Sequence, residues 1–206
     1  KFYPELLNTY YRKIVKRYKN HSIARIRADW NLREKDPGSL VQIDTKHLYV
    51  LGRRFYQFTA IDTKTRLSFS QVFSTGSSLN GALFLVKLQR YFPFQIQAIQ
   101  TDNGGEYLLN FHKACEAHGI THYFSYPNCP KQNGRVERMI QTSEYEFWLH
   151  QEDLLPKLDI LQERILFWNH KYNTQRFHQS LGYKTPVEYL SQFNYYLKEG
   201  NSTECM

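Results

Sequence analysis

Residues 40–73 read L-V-Q-I-D-T-K-H-L-Y-V-L-G-R-R-F-Y-Q-F-T-A-I-D-T-K-T-R-L-S-F-S-Q-V-F. Three β-forming runs lie inside this stretch, Leu40 to Val50, Arg54 to Asp62 and Arg66 to Phe73, each rich in Val, Ile, Phe, Tyr and Thr. The gaps Leu51-Gly52-Arg53 and Thr63-Lys64-Thr65 have hairpin length, so the three runs predict consecutive antiparallel strands. Downstream the period changes. Ser77 to Tyr91 reads as a helix with Leu79, Leu83, Val86 and Leu88 as its apolar stripe. Gln95 to Thr101 reads as a strand, Tyr107 to His118 as a helix stopped by Gly119, and Ile120 to Phe124 as a short strand. Helices are expected from about Gln132 to Leu149 and from Leu154 to Tyr172. Three antiparallel strands followed by alternating helix and strand predict an α/β sandwich with a five-stranded mixed sheet and a C-terminal helical extension.

Upstream of this block, residues 1–36 are basic and helix-compatible, with Arg12, Lys13, Lys16, Arg17 and Lys19 between Leu6, Leu7, Ile14, Val15 and Tyr18. Asp36-Pro37-Gly38 breaks that pattern. The expected organisation is a basic helical lead-in over 1–36, a core over 37–195 and a polar tail over 196–206. A chain that begins at Lys1 is expected to be a piece of a longer protein. The 206 residues are 41% hydrophobic and 16% aromatic, enough for a real core. No apolar run is long enough to span a membrane. A net charge of +8 and a pI near 9.3 favour a polyanionic partner. Cys115, Cys129 and Cys205 match neither a disulfide framework nor a zinc set, so a cytoplasmic setting is expected.

Three acids stand out by context. Asp44 interrupts a β run, Asp102 ends another in Q-T-D-N-G-G-E-Y (100–107), and Glu137 sits one turn into a helix. A carboxylate among strand residues is costly to bury without a partner. Two aspartates on adjacent strands and a glutamate on a helix crossing the sheet can converge, and hard oxygen donors suit Mg²⁺ or Mn²⁺. Asp62 is expected to hold a turn with Arg66, and Glu106 to cap or support the helix that follows it. Trp148, Phe167 and Trp168 read as core or helix-contact residues. His47, His112, His118 and His122 have no metal-ligand spacing.

Residues 100–107, P-N-C-P-K-Q-N-G-R-V-E-R (127–138) and Y-N-T-Q-R-F-H-Q-S-L-G-Y-K-T-P (172–186) together resemble the integrase core of bacterial insertion-sequence transposases, the DDE family that includes retroviral integrases. P-G-S-L-V-Q-I-D (37–44) fits the same pattern, and the resemblance runs from about Pro37 to Leu190. It implies an RNase H-like fold with the first and fourth strands as central neighbours. It also implies that Asp44, Asp102 and Glu137 hold two Mg²⁺ or Mn²⁺ ions and catalyse cleavage and joining of DNA. Lys131, Gln132, Asn133 and Arg135 become candidate contacts to DNA, joined by the basic Lys13, Lys16 and Arg17. DNA ends and target DNA are the expected partners, with a homodimer or higher oligomer in the active complex and a bacterial host. The chain departs from retroviral integrases at Gln141 and Glu144, where those enzymes carry lysines, and it lacks their zinc module. A nuclease that cuts without joining and a non-enzymatic DNA-binding scaffold are the alternatives. The loop Ser125 to Arg135, punctuated by Pro127, Pro130 and Gly134, is expected to be ordered by metal and DNA together.

Overall fold

The computed structural model describes residues 23–125, 132–152 and 154–193. Strands β1 (Val41–Val50), β2 (Arg53–Asp62) and β3 (Ser68–Phe73) form an antiparallel meander. The β1–β2 hairpin turns on two residues, Leu51 and Gly52, with φ of 45° and 77°. Positive φ at both loop positions gives the turn the twist that the flanking strands need. Helix α1 (Ser78–Tyr91) leads to β4 (Ala98–Thr101), helix α2 (Asn110–Ala117) to β5 (Thr121–Phe124), and helices α3 (Gly134–Glu146), α4 (Leu158–Thr174) and α5 (Pro186–Leu190) follow. The sheet order is β3-β2-β1-β4-β5, with β4 parallel to β1 and β5 parallel to β4. The central pairing of first and fourth strands is as expected.

Strand alternation sorts the two faces. Val41, Ile43, Phe58, Ala60 and Phe69 face α1 and α2, while Leu48, Val50, Phe55, Ile61 and Val72 face α3 and α4. Residues between them on β1, including Gln42 and Asp44, therefore share the α3 face. The edge strand β3 is closed by side chains of α4. Asn169 accepts from Ser70 N at 2.8 Å and donates to Ser70 O at 2.8 Å, and Asn173 does the same at Ser68 at 2.9 and 2.7 Å. Gln162 accepts from Val72 N at 3.1 Å. Three carboxamides one or two helical turns apart thus take the place of a further strand and leave no open backbone ladder there.

Several sequence expectations need correction. The buried face of α1 is Gly81, Phe84, Leu85 and Leu88, whereas Leu79 and Leu83 are exposed. Both sets have helical spacing, and it is the Phe84 set that packs into the core with Phe58, Phe69 and Phe111. The helix expected from Tyr107 begins at Asn110, because Leu109 has φ of 47° and separates it from a 3-10 turn over Gly105–Tyr107. The helix expected to reach Leu149 ends at Glu146, and α4 starts at Leu158 rather than Leu154. Phe167 is exposed on α4, while Trp148 and Trp168 are buried as expected. The expected helical lead-in lies outside the described residues over 1–22. Its described remainder is an irregular segment over 23–29 and a 3-10 turn, Trp30–Glu34. That segment is tied to the end of β5, with Phe124 N donating to Ile26 O at 3.0 Å and Arg27 donating to Phe124 O at 2.7 Å.

Asp62 is fully buried and holds the turn, and Arg66 closes it from the other side, its N–H donating to Asp62 O at 3.0 Å and its side chain to Thr63 O. The Asp62 carboxyl accepts from Thr65 N, Thr65 Oγ1 and Gly38 N at 2.7, 2.8 and 2.9 Å. Burial raises its pKa despite these bonds.

The face of α1 can be checked by truncation. Phe84→Ala removes a fully buried ring and is expected to cost about 3–5 kcal/mol, while Leu83→Ala should cost well under ~1 kcal/mol. Urea denaturation midpoints of the two variants measure the difference, and the reverse order would place Leu83 in the core.

Candidate active site

Gln42 and Gln100 are register partners on the parallel strands β1 and β4, and Gln42 Nε2 donates to Gln100 Oε1 at 3.1 Å. Two residues further along each chain come Asp44 and Asp102. The shared register therefore sets both acids at the same level on adjacent strands. Gln42 also reaches helix α3. Its Oε1 accepts from Arg135 N at 3.2 Å and Val136 N at 3.4 Å, and its Nε2 donates to Gln132 O at 2.6 Å. The first turn of a helix has N–H groups with no partner inside the helix, and here a side chain from the sheet supplies the acceptor. Glu137 follows directly after, so the helix carrying it is pinned to the strand carrying Asp44.

The three acids are brought into one neighbourhood. Asp44 is half-buried and its carboxyl is pushed up to about 7, first by burial and then by the charges of Asp102, Glu137 and Glu106, against the pull of its 2.8 Å bond from Thr45 N. Burial also raises Glu137. Asp102 lies just past β4 and accepts from Gly104 N at 2.8 Å. Glu106 is the residue that sequence reasoning misplaced. It sits in the 3-10 turn ahead of α2 rather than at the helix start, and it contributes to the charge felt by Asp44. A Cβ on Gly104 would stand 2.7 Å from Glu106 Oε2 and 3.0 Å from Asp102 Oδ1, so glycine is what allows those carboxylates so near the turn. Its place in D-N-G-G-E was the only available signal.

The donor set is all carboxylate oxygen, which fits a hard divalent cation and not zinc. Among the described residues, no three such groups stand close enough to hold a single ion. Repulsion between like charges in a partly desolvated cleft opposes their closer approach.

Asp102 has a further support that the sequence did not disclose. Thr101 Oγ1 donates to Asp102 O at 2.8 Å, so its 2.9 Å contact with His122 Nε2 needs the proton on the nitrogen. His122 Nδ1 is then the acceptor in its 3.0 Å contact with His112 Nδ1. The two histidines, on β5 and α2, thus form a directed hydrogen-bond chain ending at the backbone of Asp102.

The other candidates are distributed differently. Asn133 is buried, does not cap α3 with its side chain, and donates from Nδ2 to Ile43 O at 3.4 Å. Gln132 offers its carbonyl to Gln42 and to Arg33. Arg135 Nη1 donates to Arg33 O at 3.1 Å and also to Thr63 O. These three residues tie the start of α3 to the sheet. Lys131, Lys13, Lys16 and Arg17 lie outside the described residues, as does the loop expectation over 126–131. On the opposite flank of α3, Glu144 pairs with Lys46 of β1.

Two family models, both described as Integrase core domain, match residues 34–130 and 118–186. The chain carries an integrase core domain. The putative integrase ORF3 of Spiroplasma virus SpV1-C74 is 27% identical to it over 218 residues, 93% of this chain and 59% of the relative. The uncharacterized 39.2 kDa protein of insertion element IS476 from Xanthomonas euvesicatoria is 27% identical over 152 residues, 73% of this chain and 43% of the relative. This integrase core therefore spans about half the length of the curated relatives it matches. In structure it resembles the HTLV-2 integrase catalytic core domain in complex with magnesium, with TM-score 0.62 and 18% identity over 75% of this chain and 97% of that one. The BIV integrase catalytic core gives TM-score 0.59 at 23% identity, covering 74% and 94%. A chain of the simian T-cell lymphotropic virus intasome in complex with PP2A regulatory subunit B56 gamma gives 0.65 at 19%, covering 91% and 62%. These likenesses establish the RNase H-like integrase fold. No helix among the described residues is long and apolar enough to cross a membrane.

The buried histidine predicts an acid-sensitive fold. Burial and the charge of His112 push His122 down to about 3, and burial with Arg176 and Arg66 pushes His178 down to about 4. Both values lie below the ~6.5 of a free histidine, so on acidification the unfolded chain takes up the proton first. The stability they contribute is complete above about pH 6.5 and is lost as pH falls towards 3, at up to about 1.4 kcal/mol per pH unit and group. His122→Gln should be less stable at about pH 7 but lose less between about pH 7 and about pH 4.5. Parallel pH dependence of the urea midpoints in both proteins would show that His122 is not held neutral.

Proposed function

We propose that this integrase core cleaves and joins DNA strands, with Asp44, Asp102 and Glu137 as the carboxylates that hold two Mg²⁺ or Mn²⁺ ions. The observation that carries the reading is the Gln42 arrangement: one side chain links the strand of Asp44, the strand of Asp102 and the helix of Glu137, and all three acids follow within a few residues. Ions bound there would supply Lewis acidity at the attacking and leaving oxygens of a phosphodiester. The protein's own part is positional. The β1–β4 register sets the two aspartates side by side, the histidine chain holds the backbone of Asp102, and capping by Gln42 fixes the height of Glu137 over the sheet. The substrates on this reading are DNA ends and target DNA, drawn in by the net charge of +8. Lys13, Lys16, Arg17 and Lys131 add to that attraction, and a second copy of the chain completes the active complex.

The test is a strand-transfer assay with the full-length protein, the ends of its own element and Mg²⁺ or Mn²⁺. Asp44→Asn, Asp102→Asn and Glu137→Gln should each abolish nicking and joining, and double variants should be little worse than single ones. A second readout is independent of activity. Asp44→Asn removes a charge that is half-buried and repelled by its neighbours, so the melting temperature should rise by a few degrees, on the order of 1 kcal/mol. Millimolar Mg²⁺ should stabilise the wild type and not this variant. Retained Mg²⁺-dependent joining in any of the three variants would remove the assignment. Cutting without joining would make the protein a nuclease.

Gln42→Leu probes the link between strand and helix. It removes the acceptor of one buried and one partly buried N–H group, and the expected cost is about 2–4 kcal/mol. Strand transfer per folded molecule should fall as well, because Glu137 loses its fixed height. Unchanged activity in the folded fraction would show that the cap serves stability alone.

A further inference from the structure

The parallel ladder between β1 and β4 pairs Val41 with Ile99 and Gln42 with Gln100, and it stops short of Asp44 and Asp102. Past that point β1 runs on to Val50 in its pairing with β2. Strand β4 instead ends at Thr101, and the chain passes through Asp102 into the 3-10 turn Gly105–Tyr107. The two aspartates therefore stand where the strands part. Like charges at such a fork push it open, so a fixed gap between them needs a tie on its far side.

A hydrogen bond crosses the fork. Thr45 Oγ1 and the Tyr107 hydroxyl are 2.6 Å apart, one donating to the other across 62 residues of chain. Tyr107 is fully buried, with its ring edge-on to Phe111 at 5.3 Å and to Phe58 at 6.3 Å between centroids. Phe58 is in turn the cross-strand neighbour of Thr45. Helix α1 backs the turn so closely that a Cβ on Gly81 would stand 2.6 Å from Glu106 O. The hydroxyl is thus delivered from a fixed ring on a braced turn. Thr45 also donates its amide to Asp44 Oδ1 at 2.8 Å, so the residue gripped by Tyr107 is the one that orients the Asp44 carboxylate. Burial and the charges of Asp44, Glu106 and Asp102 hold the Tyr107 pKa well above that of an ordinary tyrosine, and the hydroxyl keeps its proton.

We propose that Tyr107 is a positioning residue: through Thr45 it clamps β1 to the turn that follows Asp102, and so holds the gap between Asp44 and Asp102 that a divalent cation has to bridge. Gln42 and Gln100 tie the strands ahead of the acids, Thr45 and Tyr107 tie them beyond, and the carboxylates lie between the two ties. Filling the space needs no hydroxyl, because phenylalanine and valine of the same shape would pack there at little cost. What the hydroxyls add is a set distance between two backbone segments. This inference deepens the reading of Asp44 and Asp102 as cation ligands and rests on it.

Mn²⁺ alone is the probe, titrated into the 206-residue chain and followed by the paramagnetic resonance signal of the free ion. Tyr107→Phe and Thr45→Val each remove one hydroxyl and keep the shape. Each should raise the half-saturating Mn²⁺ concentration about tenfold, the low end of what loss of an outer partner costs a metal site. The double variant should be no weaker than either single one, because both break the same bond. Thr45→Ser keeps the hydroxyl and should bind as the wild type does. Phe69→Leu, a smaller side chain in the same core on β3, should lower the melting temperature and leave Mn²⁺ binding unchanged. Wild-type affinity in folded Tyr107→Phe and Thr45→Val would overturn the clamp. So would an equal loss in Phe69→Leu, which would trace the effect to general loosening, or additive losses in the double variant, which would mean that the hydroxyls act apart. Asp44→Asn separates the two readings. If it binds Mn²⁺ as the wild type does, the acids are not the ligands and both readings fall; if it loses binding while Tyr107→Phe does not, the clamp alone is removed.

Discussion

The carboxamide of Gln42 has both polar ends committed, its oxygen to the first N–H groups of α3 and its nitrogen to Gln100 and to the carbonyl of Gln132. It is fully buried, so these bonds are made where water cannot substitute for them. Helix α3 has no side-chain cap of its own from Asn133. Its start is therefore defined by the sheet, and the height of Glu137 above β1 is inherited from the position of one strand residue. Any account of the site as three acids alone leaves out the group that sets their separation.

Around that contact several buried polar groups are satisfied by side chains from other parts of the fold. The β3 edge is closed by Asn169, Asn173 and Gln162 on α4 rather than by another strand. The turn after β2 is closed by Asp62, and the end of β4 by the chain from His112 through His122 and Thr101. The α4 carboxamides reach 90 or more residues back along the chain, whereas the Asp62 turn is closed mainly by its own Thr65. Against this background the acids around Asp44 are the exception. They stand together without cationic partners among the causes that shift Asp44, so their mutual repulsion raises its carboxyl instead of stabilising the fold.

Helix α3 divides two charge environments. Its sheet-facing side buries Val136, Met139, Ile140 and Ser143. Glu137 projects towards the acids, while Arg135 and Arg138 line a cavity together with Arg66 and Arg176. Arg138 lies one residue, about 100°, around the helix from Glu137, and Arg135 two residues, about 200°. Arg135 also binds the carbonyls of Arg33 and Thr63, which connects the basic flank to the segment ahead of β1 and to the turn that Asp62 closes.

The period-two runs from Leu40 to Phe73 and the short gaps between them were sufficient to predict three antiparallel strands, because alternation and turn length are local properties. The positions of Asp44 in a strand, Asp102 at a strand end and Glu137 one turn into a helix were legible for the same reason. Which apolar set of α1 turns inward was not, since Leu79–Leu83 and Phe84–Leu88 have the same period and only packing against α2, β2 and β3 distinguishes them. Nor could the sequence show that Glu106 would join the acids, that His122 would support Asp102, or that Arg66, Arg138 and Arg176 would share one cavity. Those pairings span from about 20 to more than 100 residues of chain. The sequence by itself determined the strand and helix types and the chemistry of the acids, through patterns that repeat within a few residues. The tertiary structure alone decided which of those residues meet, because a contact between distant residues depends on the register of β1 against β4 and on where Gln42 halts the start of α3.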